Sequence, residues 1–146
     1  MIKYDLRPYT KADSEFVYQA KKEAYKYYVE KFWGAWDEEK QRSFFADFIE
    51  KVQNTLSIIE HEGKSIGLYH GNMMDQNTYE IGNVIVIPSC QGHGIGTDIL
   101  KNIIENNPKL KMHLQVFKEN PAINLYKRLG FVVVDETRTH LIMERK

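Results

Sequence analysis

The sequence predicts an α/β (α+β) domain, a mixed and mostly antiparallel central sheet flanked by helices. Three observations predict it. Short apolar runs near the middle of the chain are separated by single turns, which demands antiparallel hairpins. A strand, a Gly-rich turn and a helix follow one another through residues 84–104, and the strand after them asks for a parallel crossover. The chain has 146 residues, 42% of them hydrophobic, enough for one self-sufficient core. A single domain over residues 1–146 is therefore expected.

Residues 2–7 read as an opening strand, with Ile2, Tyr4 and Leu6 on one face and Pro8 ending it. Thr10 followed by Asp13 has the spacing of a capping box. Phe16, Val17, Ala20, Ala24, Tyr27 and Tyr28 then recur at the helical period, and that helix stops near Trp33-Gly34. Asp37 suits an N-cap, with Glu38 and Glu39 in the first turn, where the helix dipole favours acids. Phe44, Phe45, Phe48, Ile49 and Val52 give this second helix its apolar stripe. Strands are expected over 56–60 and 65–74, joined by a turn at 62–64, and over 79–87, ended by Pro88. The next helix carries Ile95, Ile99, Leu100, Ile103 and Ile104 and stops at Asn106-Asn107-Pro108. A strand over 110–117 precedes a short helix over 121–129, with Pro at its start and Gly130 just past its end. Segments 131–135 and 139–143 close the chain as a strand pair. The order is β-α-α-β-β-β-α-β-α-β-β.

Composition excludes several classes. Twenty basic and twenty acidic residues cancel, which argues against a nucleic-acid binder working through a basic face. One cysteine, Cys90, cannot form an internal disulfide or a zinc cluster, and the histidines at 61, 70, 93, 113 and 140 lack metal-ligand spacing. The longest aliphatic runs are four residues, against the ~20 that span a bilayer. The opening residues show no signal-peptide pattern. With a mean hydropathy of −0.51, a soluble cytoplasmic protein with no membrane partner is expected.

The most informative segment runs from Val84 through Pro88 to Thr97. The first turn of a helix offers unpaired backbone N–H groups and partial positive charge, and glycines let a phosphate approach them. A Walker A loop needs G-K-[ST], which is absent. A Rossmann loop counted from Gly92 needs glycine at 97, where threonine stands, although Glu119 does lie beyond the next strand.

Gln91-x-x-Gly94-Ile95-Gly96 resembles Q/R-x-x-G-x-G/A, the acetyl-coenzyme A loop of the GNAT family of N-acetyltransferases. Pro88 stands three residues before Gln91, as is usual there. The run Asn120-Pro121-Ala122-Ile123-Asn124-Leu125-Tyr126-Lys127-Arg128-Leu129-Gly130-Phe131 resembles the family's later N-P-A-x-x-[LF]-Y-x-[RK]-L-G-F segment. More loosely, Trp33-Gly34-Ala35-Trp36-Asp37-Glu38 and Thr137-Arg138-Thr139-His140 resemble a bacterial, small-molecule-type branch, with one extra residue in the first.

The resemblance implies a GNAT-like acyl-CoA acyltransferase fold with acetyl-CoA as cosubstrate and no metal. It implies that the strand before the loop splays from the strand after the helix, with pantetheine against the backbone of Ile85, Val86 and Ile87. It gives the pyrophosphate to Gln91, Gly92, His93, Gly94, Ile95, Gly96 and Thr97, and puts Asn120 against the cofactor. Tyr126 matches the tyrosine that faces the cofactor sulfur. Dimers are common in the family, so a homodimer is among the partners it implies.

The chemistry sets its own demands. An amine with a pKa near 10.4 is about one part in 2,500 free base at pH 7, a deficit of roughly 4.6 kcal/mol. A base offsets part of it, and Glu80, on the strand leading to the loop, is the candidate; a solvent-facing strand acid is the plainer reading. Tyr126 can protonate the leaving thiolate or simply pack. Tyr27, Tyr28, Phe32, Trp33 and Trp36, with Asp37 and Glu38 beside them, suit a cationic amine, and Tyr28, Trp33 and Trp36 are the candidate acceptor residues. Core packing for the tyrosines and helix capping for Asp37 compete with that. Cys90 as an acyl carrier and His140 near the acceptor are weaker candidates.

The expected activity is acetyl transfer from acetyl-CoA to an amine of a small molecule, by direct attack in a ternary complex. Relatives that acetylate protein N-termini carry a Glu where Gln115 stands, and seven residues where six run from Asn120 to Tyr126. Acetylation of a protein N-terminus or lysine is thus the first alternative, and a non-catalytic coenzyme A-binding module the second.

Overall fold

The computed structural model describes residues 3–146, so Ile2 of the expected first strand lies outside the described residues. The elements are β1 (Asp5–Pro8), α1 (Ser14–Trp33), α2 (Glu38–Val52), β2 (Leu56–His61), β3 (Lys64–Met73), β4 (Thr78–Val86), α3 (Ile95–Asn106), β5 (Lys111–Phe117), α4 (Ala122–Arg128), β6 (Val132–Glu136) and β7 (His140–Arg145). The strands form one seven-stranded sheet in the order β1-β2-β3-β4-β5-β7-β6. β4 runs parallel to β5, Thr78–Ile81 beside Lys111–Leu114. The β1–β2, β2–β3, β5–β7 and β6–β7 pairs are antiparallel. This is the mixed α/β architecture expected from the sequence. The chain forms two compact units, one from residues up to His70 with 83–95, the other from 71–82 with 96–146.

In the first unit, Leu56 and Ile58 of β2, Leu68 of β3 and Ile85 of β4 meet Val17 and Ala20 of α1. Phe45, Ile49 and Val52 of α2 pack onto that cluster. Each fully buried aliphatic side chain contributes about 1.5–3 kcal/mol. Two residues of the expected stripes do not join: Tyr27 is 64% exposed and Phe44 62%. At about 100° per residue, Phe44 lies about 100° around the helix from Phe45, off the face that packs.

Pro8 is the last residue of the first strand, opposite Ser57, so the strand runs one residue past its expected end at Arg7. β1 is an edge strand, where the missing proline N–H costs no ladder bond. Arg7 ties this edge to the start of α1. Its guanidinium donates to Glu60 at 2.7 Å and to both Asp13 oxygens at 2.7 and 2.8 Å. Asp13 also accepts from the Thr10 N–H and hydroxyl, the reciprocal contact expected of the capping pair. Arg7 above all holds the Asp13 carboxyl down to about 2.

In the second unit, Met112, Leu114 and Val116 of β5 are buried together with Phe131 and Met143 of β7. Leu114 stands directly opposite Met143. Gly130, with φ +95°, turns the chain out of α4, and Arg145 donates to the Leu129 carbonyl at 2.8 Å. β6 is the other edge, exposed along its whole length, with a register shift between Val133 and Asp135.

Candidate functional site

The first unit carries β4's last residues and the turn that follows. The Ile87 N–H donates to the Ile66 carbonyl at 2.8 Å, which continues the sheet past β4's end. Pro88–Cys90 then makes a short 3-10 turn, with the Cys90 N–H on the Ile87 carbonyl and the Gln91 N–H on the Pro88 carbonyl. Gly92 and Gly94 have φ of +80° and +81°, the left-handed conformation that side chains resist. Residues 91–94 are exposed, and a Cβ at Gly92 would meet nothing within 4 Å. α3 begins at Ile95, whose side chain is buried just beyond the exposed residues 91–94, and Ile99 and Leu100 further along the helix are buried too.

These features fit an anionic group. The approach is open, the helix start supplies backbone donors, and no residue from 88 to 97 carries a fixed charge. Asp98 is the one acid in the first turn of α3. The Gln91 side chain, expected at the pyrophosphate, turns back and donates to the Val86 carbonyl at 2.7 Å. It stiffens the turn and occupies one of the strand carbonyls in the expected set. Cys90 lies five residues ahead of Ile95, so it is not in the helix's first turn.

Ile85 and Asn83 face α1. Ile85 joins the buried cluster, and the Asn83 amide donates to the Tyr25 hydroxyl at 2.8 Å. Gly67 on β3 lies so close to Ile85 that a Cβ there would collide with the Ile85 carbonyl oxygen. A glycine inside a strand is the sequence signal for such close backbone approach, and β3 has one at 67 as well as at 71.

The aromatic candidates on α1 and the following loop take separate partners. Tyr28 meets Tyr27 edge-on at 5.2 Å, and Trp33, 56% exposed, meets Phe32 at 6.3 Å. The Trp36 indole N–H donates to Glu38 at 2.7 Å, and its backbone N–H to Glu30. Glu38 also pairs with Lys22 at 2.9 Å, and that ammonium keeps its carboxyl below the usual range. Asp37 accepts from the Lys40 N–H and caps α2. Both acids are thus engaged within the fold, which favours the capping reading of Asp37.

The second unit holds Glu80, Gly96, Thr97, Asn120 and Tyr126. Glu80, half-buried on β4, stands in register with His113 of β5, whose Nδ1 is 2.9 Å from Glu144. Asn120 Oδ1 accepts from the Ala122 N–H at 2.9 Å and so opens α4. The residue before it, Glu119, has φ +71°, an uncommon conformation for a side-chain-bearing residue. Tyr126 is half-buried near the other end of α4. Its ring lies 5.9 Å from that of Phe131, and its carbonyl accepts from the Phe131 N–H. His140 stacks on Phe117 at 4.2 Å and meets the Thr139 hydroxyl, and burial lowers its pKa. Among the described residues no group of acids, histidines and cysteine could hold a metal, and no helix is long and apolar enough to cross a membrane.

Known proteins resemble this chain at two levels. Residues 16–131 match the model of the acetyltransferase (GNAT) family. An uncharacterized N-acetyltransferase of Methanocaldococcus jannaschii is 29% identical over 143 residues, 88% of this chain; the chain spans 60% of that relative's length. A crystal structure of the PaiA N-acetyltransferase from Thermoplasma acidophilum in complex with coenzyme A superimposes with a TM-score of 0.73 over 99% of both chains, at 19% identity. A GNAT family acetyltransferase from Elizabethkingia anophelis with acetyl-CoA bound gives 0.66 over 98% of this chain and 97% of that one, at 16% identity.

Proposed function

The chain belongs to the acetyltransferase (GNAT) family, and from that premise we propose that it transfers an acetyl group from acetyl-CoA to an amine of a small molecule, by direct attack in a ternary complex. The observation that carries this reading is the exposed turn between β4 and α3, with glycines 92 and 94 in the left-handed conformation. The coenzyme A and acetyl-CoA of the two structural neighbours agree with it. The family match runs through both compact units, which supports one N-acetyltransferase domain over 1–146. The archaeal relative shows that similarity is not confined to bacteria, and Gln115 together with the six-residue spacing from Asn120 to Tyr126 favours a small-molecule acceptor.

In this reading the backbone of Ile85, Val86 and Ile87 and the amides of residues 91–97 hold acetyl-CoA, and Asn120 is also assigned to the cofactor. The bound cosubstrate supplies an activated thioester. Glu80 accepts the proton of the acceptor ammonium, directly or through one water. Tyr126 donates its hydroxyl proton to the departing sulfur and recovers one from the second proton that the nitrogen loses as the amide forms; a thiol pKa of about 8.5 makes that help useful rather than indispensable. Tyr28, Trp33 and Trp36 line the acceptor's approach. The protein acts in the cytoplasm, where acetyl-CoA and small amines are available.

Release of free thiol from acetyl-CoA, followed across a panel of small amines, tests this. The reading expects amine-dependent release, lowered about 10²–10⁴-fold by Tyr126→Phe. Release only with peptide N-termini or lysines would move the acceptor to proteins. Coenzyme A binding without turnover of any amine would make the chain a binding module.

A further inference from the structure

α1 carries one cation on its inner face. At about 100° per residue, Lys21 falls between Val17 and Tyr25, which are both directed into the first unit. Its ammonium lies 3.3 Å from the centroid of the Phe48 ring of α2. Among the described residues no carboxylate pairs with it. Burial alone pushes its pKa down to about 8. His70 of β3 is 7% exposed, and its Nδ1 has no hydrogen-bond partner. The His70 ring meets the same Phe48 ring edge-on at 6.1 Å, and burial first, then the Lys21 charge, pushes the imidazole's pKa down. A buried ring nitrogen without a partner and a desolvated cation without a counter-ion are each costly, and they share one aromatic neighbour.

One group settles both costs. A carboxylate accepts from an ammonium and from an imidazole N–H at once, and these charge-assisted bonds are the strong ones. One helical turn further along α1, Tyr25 accepts from Asn83, two residues before Ile85. The cation and the strand assigned above to pantetheine are thus joined through one helix face within one unit. We propose that Lys21, His70 and Phe48 seat a carboxylate of the acceptor, so that the amine acetylated by this enzyme also bears a carboxylate, as in an amino acid. This deepens the acetyl-transfer reading and rests on it for the amine half of the ligand.

The test uses the full chain and three probes: butyrate, butylamine and 4-aminobutyrate. Calorimetry is expected to show binding of both carboxylates and binding of butylamine at least tenfold weaker, with the His70 imidazole resonances moving on addition of butyrate. Lys21→Met, which keeps the stem and removes the charge, should weaken both carboxylates about tenfold or more and raise KM for 4-aminobutyrate in the thiol-release assay. His70→Asn, a milder change should Lys21→Met unfold, should weaken butyrate as well. Equal affinity for butyrate and butylamine, or a wild-type response in both variants, overturns the carboxylate seat and leaves acetyl transfer standing. Butyrate binding that depends on Lys21 without turnover of any amine overturns acetyl transfer and leaves the seat.

Discussion

Gly67→Ala adds a single methyl group where β3 lies against the β4 backbone. The new Cβ would collide with the carbonyl oxygen of Ile85 and press on Ile59 Cδ1 at 3.1 Å. Gly67 does not need a left-handed backbone, so in open space alanine would stabilise the strand by restricting the unfolded chain. The collision decides the sign. The obstacle is backbone, and β4 is pinned on either side of it. Asn83 holds Tyr25, and the Ile87 N–H holds the Ile66 carbonyl. Overpacking of this kind costs about 1–3 kcal/mol, and a fixed carbonyl puts this case near about 3. For a chain of this length that lowers Tm by about 6–12 °C. Because β4 must shift to make room, coenzyme A affinity should fall with it. Differential scanning calorimetry and a coenzyme A titration on the same preparation read both quantities. A melting point within about 1 °C of wild type would refute the packing argument.

Three other perturbations follow from the geometry. Asp13, held at about 2 by Arg7 against an ordinary 3.8, contributes stability that is present above its unfolded pKa and is lost as pH falls from about 4 through about 2. Asp13→Asn should therefore cost about 2 kcal/mol at pH 7 and flatten the acid limb of the stability curve, as urea unfolding at several pH values would show. Glu80→Gln should lower kcat by about 10² or more while coenzyme A still binds; an unchanged kcat would move the base elsewhere. Gly130→Ala places a Cβ at φ +95° and 3.1 Å from Arg145 Nε, and a loss of about 1–2 kcal/mol in thermal unfolding is expected.

Much of the fold was legible because punctuation and periodicity agreed. Pro88 and glycines 92 and 94 mark the passage from β4 to α3, and the expected element order and the parallel β4–β5 pair both appear. Asp37 and the Thr10–Asp13 pair cap where their residue types predict. Other features needed the third dimension. An apolar residue at the margin of a helical stripe reads like one at its centre, so periodicity places Tyr27 and Phe44 on packed faces they do not join. Pro8 breaks a central strand but is tolerated on an edge, and edge position depends on the whole sheet. Lys21 is hidden in the sequence because a lysine on a helix reads as solvated, although it stands four residues after Val17 and four before Tyr25, on the buried face. The Gln91 bond to Val86 leaves no trace in sequence, since a loop glutamine reaches a ligand and its own strand equally well.

Acetyl transfer by this chain requires the turn between β4 and α3 to grip the diphosphate of coenzyme A. Titration of coenzyme A into the full chain by calorimetry measures that directly. A single saturable site is predicted, weakened about 5–30-fold by Gly94→Ala, because alanine lets the free turn leave φ +81° and binding must restore that conformation at about 1–2 kcal/mol. No heat of binding in the wild-type chain, or unchanged affinity in the variant, would contradict it.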